Sequence, residues 1–109
     1  MDRAFYSAGS VFRFKPAAAV VSARRAGTTA SMDVIMKHFT ISQMPVVSAN
    51  YWNAVHGNCA EEAALDTEGL CTMEAIGRNM AWLLKCIEAG RQQGIDCPVN
   101  RKTFTNFIR

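Results

Sequence analysis

Residues 17–23, AAAVVSA, carry no charge and no apolar-polar alternation, the pattern of a strand covered on both faces in a parallel sheet. The period then changes. Thr28, Thr29 or Ser31 can cap a helix reaching about Thr40, with Met32, Ile35, Met36 and Phe39 on one face and Asp33 and Lys37 on the other. A second apolar run, PVVSA at 45–49, reads as a short strand opened by its proline. Residues 50–66, NYWNAVHGNCAEEAALD, are too irregular for a tight turn, and a loop of that length in a compact domain is usually functional or disordered. Asp66 or Thr67 then caps the clearest helix, about 68–93, where Leu70, Met73, Ile76, Met80, Leu83, Leu84 and Ile87 recur three or four apart. Gly94 suits its left-handed end, and residues 95–109 read as extended coil. Residues 2–8, DRAFYSA, look like the end of a helix.

The order is therefore helix, strand, helix, strand, long loop, helix. It predicts one α/β domain over residues 1–109 in which 17–23 and 45–49 pair in parallel across a right-handed crossover. Two short strands are too few for an independent sheet, so further strands are expected upstream or from a partner.

Composition narrows the function. Half of the 109 residues are hydrophobic, which argues against disorder, and 12 basic residues against 9 acidic ones give a net charge of +3. That excess is too weak and too scattered for a nucleic-acid footprint. No run approaches the roughly 18 apolar residues of a membrane helix, and Met1-Asp2-Arg3 opens no leader-like segment, so a soluble, unexported, cytoplasmic protein is expected. Cys59, Cys71, Cys86 and Cys97 form no close pair of the metal-knuckle type and read as reduced thiols.

Two stretches carry candidate chemistry. Lys15 to Thr29 is a strand-loop-helix junction, and in open α/β sheets ligands bind beyond the carboxyl ends of the strands. Tyr51, Trp52 and His56 bring three rings into the long loop, either against a ligand or in a subunit contact. His38 and His56 lack nearby acidic or cysteine partners in sequence, which favours structural roles over base or metal ligand. Asp66-x-Glu68-Gly69 resembles paired carboxylates, yet its place at a helix start favours capping.

Taken together, KPAAAVVSARRAG, SQMPVVSANYWNAVHG, DTEG, GRNMAWLLK and the terminal TNFIR resemble the carboxyl-terminal half of flavodoxin-like NAD(P)H-dependent FMN reductases. The resemblance implies an incomplete flavodoxin-like α/β fold: a three-layer parallel sheet represented by strands four and five with helices four and five. It further implies that the amino-terminal half, with its Ser/Thr/Gly phosphate loop and Ser-Pro-Val-Tyr-type turn, is absent, through truncation or a start at an internal methionine. By the same likeness Ser22, Ala23, Arg24, Arg25, Ala26, Gly27 and Thr28 would run along the isoalloxazine ring of FMN. Backbone amides at a helix start favour its electron-rich oxygens, and Gly27 permits close approach. Arg24 or Arg25 would stabilise reduced flavin or attract the phosphates of NAD(P)H, the electron donor. Tyr51 and Trp52 would stack on flavin or wall off a neighbouring subunit's pocket. The implied activity is hydride transfer from NAD(P)H to FMN and on to a quinone or other acceptor, with no catalytic side chain and no metal. A non-catalytic, flavin-binding or oligomerising remnant is the alternative. A homo-oligomer through the loop at 51–57 is expected, against a monomer whose tail at 104–108 folds back over the sheet.

Overall fold

The computed structural model describes residues 1–108. In chain order the elements are α1 (Asp2–Ser7), α2 (Gly9–Phe12), β1 (Val21–Ala23), α3 (Thr28–Ile41), β2 (Ala54–His56), α4 (Ala60–Ala63) and α5 (Thr67–Gln92). The helices follow the apolar spacing closely. In α3, Met32 and Phe39 are buried, with Ile35 and Met36 packed beside them. Its start differs from expectation: Gly27, in the left-handed region at φ 92°, is the N-cap, and no side chain caps the helix. Glycine bears that conformation without a Cβ penalty. In α5, Asp66 caps the amino end through the Gly69 amide. At the carboxyl end Gly94 adopts φ 78° and the Ile95 amide donates back to the Gly90 carbonyl, the bonding of a Schellman turn.

The sheet is the element that sequence misjudged. Among the described residues there are two three-residue parallel strands, β1 and β2, and five helices, so the flavodoxin-like three-layer parallel sheet is not formed. Residues 17–23 and 45–49 meet only at a parallel bridge between Ala17 and Val46, where the Ala17 amide donates to Pro45 and the Val47 amide to Ala17. The ladder proper pairs Val21 with Ala54, Ser22 with Val55 and Ala23 with His56. Between bridge and ladder one strand advances from 17 to 21 and the other from 46 to 54. The second chain therefore carries four extra residues and buckles outward through Tyr51 and Trp52, which are 62% and 59% exposed. The expected loop at 50–66 accordingly contains β2 and α4.

Neither is the first strand covered on both faces. Ala17, Ala19 and Val21 pack toward α3, whereas Val20 is 54% exposed and Ser22 is exposed. The core is correspondingly thin, its buried apolar members being Ala19, Met32, Phe39, Val47, Ala54 and Ile76. Phe5 of α1 closes one end by stacking on Phe12 and tilting against Phe39. The chain is a slab of 51 × 46 × 20 Å with a radius of gyration of 17.2 Å. A compact chain of this length has about 13 Å. Leu70, Trp82 and Leu84 on α5 stay open, and Phe104, Phe107 and Ile108 are more than four-fifths exposed, so the tail does not fold back over the sheet. No helix among the described residues is long and apolar enough to cross a membrane.

Candidate functional site

The register of β1 against β2 places their carboxyl ends together, and α3 and α5 both begin beside them. Two glycines make that approach possible. A Cβ on Gly69 would lie 2.4 Å from the Asp66 carboxylate and 3.0 Å from the Ala54 carbonyl, so the first turn of α5 presses on β2 only because nothing projects there. At Gly57 a Cβ would lie 2.4 Å from the Ala63 backbone nitrogen, which fixes α4 against the end of β2.

Asp66 joins these pieces. Its Oδ1 accepts from the Gly69 amide at 2.9 Å and its Oδ2 from the His56 amide at 2.7 Å. Both amides favour the ionised form and hold its carboxyl below the ordinary range, the His56 amide contributing most. The His56 ring follows its backbone, with Nδ1 3.9 Å from Asp66 Oδ2. One carboxylate thus caps a helix and ties it to the end of β2.

Around this pair lies a cleft of about 170 Å³, lined by Thr28, Tyr51, Trp52, His56, Asp66 and Glu68 among others. The Tyr51 and Trp52 rings are tilted at 56° with centroids 6.3 Å apart. Of the residues expected to face a flavin, the structure brings Thr28, Tyr51 and Trp52 together here. Ser22, Ala23, Arg24, Arg25, Ala26 and Gly27 do not line the cleft. Arg24 to Gly27 form an exposed loop that leads into α3, and Ser22 and Ala23 belong to β1. Sequence reasoning missed His56 and Asp66 as a pair because ten positions separate them and only the fold of β2 onto α5 closes the distance. The signal was present in DTEG, where a glycine three places after a cap marks a helix start that something approaches closely.

No protein-family model matches this chain, and neither the curated proteins nor the solved structures hold a match to it.

Proposed function

We propose that the chain forms part of an FMN-dependent NAD(P)H oxidoreductase of the flavin-reductase or quinone-reductase type, acting in the cytoplasm. One observation carries the reading: the amino ends of α3 and α5 converge on the carboxyl ends of two parallel strands, beside two exposed aromatic faces. The amino end of α3, which no side chain caps, supplies amide donors, and Tyr51 and Trp52 supply flat apolar surface. The cleft is too small to enclose a tricyclic isoalloxazine, since ligand-enclosing pockets run from about 300 Å³ upward. The residues therefore fit a flavin lying over the Arg24–Gly27 loop and against the open rings. FMN would supply the hydride chemistry, and the chain's residues would orient it and exclude water. Arg24 and Arg25, both exposed, are available to nucleotide phosphates. The four exposed, unpaired cysteines suit a reducing compartment.

Titration of FMN with the purified chain, read by flavin fluorescence, tests this. Binding weaker than about 1 μM is expected of the open surface that these residues offer, and submicromolar binding would show that another element grips the phosphate. Absence of binding at about 1 mM overturns the reading. A second reading, a non-catalytic oligomerising unit, is favoured by the slab shape and by the open Leu70, Trp82 and Leu84. Flavin binding without NAD(P)H oxidation would select it.

A further inference from the structure

At its carboxyl end α5 turns the chain back against its own last turns. Gly94 takes φ 78°, and the Ile95 amide donates to the Gly90 carbonyl at 2.9 Å. Ile95 then packs on Gly90, where an added Cβ would lie 3.7 Å from the Ile95 Cβ. The tail stays beside the helix past that point, because Cys86 and Ile87 of α5 share one cavity of about 350 Å³ with Cys97 and Pro98.

Two thiols fall in step across this cavity. From Gly90 back to Cys86 is four positions, about 6 Å along a helix and about one turn round it, so the two share a face. From Ile95 on to Cys97 is two positions, about 6.6 Å of extended chain, with both side chains to the same side. Pro98 favours extended backbone at Cys97, the residue before it. The approach of Ile95 to Gly90 is therefore repeated by Cys97 and Cys86. Its 3.7 Å between Cβ positions falls within the roughly 3.5 to 4.5 Å that a disulfide spans. Both cysteines are free and exposed. Cys71 cannot compete for Cys86, since fifteen positions of one helix hold them about 22 Å apart.

We propose that Cys86 and Cys97 are a thiol-disulfide pair, a modification site at which a small disulfide such as oxidised glutathione reversibly locks the tail to α5. The thiolate of one cysteine attacks a sulfur of the small disulfide, forming a mixed disulfide and releasing one small thiolate. The thiolate of the other cysteine then attacks the protein sulfur of that mixed disulfide, forming the Cys86–Cys97 bond and releasing the second. Two protein thiols are oxidised, one small disulfide is reduced to two thiols, and the protons pass to the thiolates released. Excess small thiol runs the sequence backwards. In a reducing compartment such a bond is a sensor and not a permanent bridge.

The test equilibrates the full chain with mixtures of reduced and oxidised glutathione, blocks free thiols by alkylation, and maps tryptic peptides without reduction. Trypsin cuts after Lys85, Arg91 and Arg101, so the proposed bond joins peptide 86–91 to peptide 92–101. That linked species is expected, with Cys59 and Cys71 alkylated. Cys86→Ser and Cys97→Ser should each leave the remaining partner as a mixed disulfide with glutathione. The effective concentration of the pair, read from the same equilibrium, should be at least about tenfold higher in the folded chain than in concentrated urea, where sequence proximity alone acts. A different pairing, disulfides formed only between chains, mixed disulfides alone in the parent chain, or equal effective concentrations folded and unfolded would overturn the proposal.

Discussion

The side-chain amide of Asn53 donates to the carbonyl of Ala19 at 3.0 Å across 34 residues of chain. It stands where a strand ladder is interrupted. Between the Ala17–Val46 bridge and the Val21–Ala54 pair the second chain swings outward, and Ala19 would otherwise face that gap with an unanswered carbonyl. Asn53 then rejoins the ladder through its own carbonyl, which accepts from the Val21 amide at 3.0 Å. One buried residue thus satisfies both sides of the break and aims the neighbouring Trp52 and Tyr51 outward.

Asn53→Ala should accordingly lower stability by about 1 to 3 kcal/mol, the loss for a buried group whose partner is removed. Urea unfolding followed by circular dichroism measures it. A midpoint equal to that of the parent chain would show that solvent answers Ala19 equally well. The same variant should blunt the cleft, because the strand break that presents Trp52 is no longer pinned.

Two glycines of α5 should respond to alanine in opposite directions. At Gly77 an added Cβ meets nothing within 4 Å, and the position lies inside a helix, so Gly77→Ala should stabilise by about 0.5 to 1 kcal/mol. At Gly69 the Cβ would meet the Asp66 carboxylate at 2.4 Å and the Ala54 carbonyl at 3.0 Å, so Gly69→Ala must displace the cap or the strand. Its thermal midpoint should fall below that of the parent and the His56 amide resonance should move. Two variants shifting the same way would contradict the close approach of α5 to β2.

How much of this was legible depends on the range over which each element is decided. The spacing of Met32, Ile35, Met36 and Phe39, the Asp66 cap and the Gly94 stop are local, and α3 and α5 follow them within a residue or two. β2 was not legible. PVVSA has the stronger strand composition, yet pairing continues at Ala54–His56 because Asn53 bridges the gap and Gly69 admits the helix, and both facts join distant segments. The covered-strand pattern of 17–23 likewise states what the residues tolerate on both faces, and Val20 remains open where nothing packs on it. Of the cleft's lining, Thr28, Tyr51 and Trp52 are residues the sequence had singled out. The pairing of His56 with Asp66 and of His38 with Asp2 was not, being made across ten and 36 residues.

The His38–Asp2 pair should give the docking of α1 a bell-shaped pH dependence. His38 Nε2 lies 2.5 Å from Asp2 Oδ1, and its other nitrogen bonds the Val34 carbonyl. The Asp2 hydrogen bond, foremost, raises the histidine above its ordinary value, and His38 in turn lowers Asp2 below its own. A raised histidine contributes fully below the ordinary value of about 6.5 and loses its contribution as pH rises through the raised value. A lowered aspartate contributes above about 3.9 and loses it as pH falls through the lowered value. The Phe5 ring, stacked on Phe12 with centroids 4.6 Å apart, reports the docking by NMR. Its shifts should be constant between those limits and change beyond each, and His38→Gln should remove the alkaline change. An alkaline change that survives in His38→Gln would assign it to another group.

Self-association should proceed through the exposed apolar residues of α5 and the outward loop. Trp82 is 67% exposed, Leu84 49% and Leu70 45%, and Trp52 adds a ring at 59% on the buckled segment. Exposed apolar surface of this extent on a 20 Å slab is characteristic of an interface. Light scattering of the purified chain should give a mass above 12.0 kDa that rises with concentration. Trp82→Glu and Leu84→Glu together should return it toward the monomer by placing charge on both open sides of the helix, whereas Trp52→Ala alone should weaken association only if the loop takes part. The far-ultraviolet circular dichroism of each variant separates a lost contact from a lost fold. A parent chain that stays at 12.0 kDa at every concentration would mean that α5 keeps these apolar residues open in solution, and would remove the oligomerising reading.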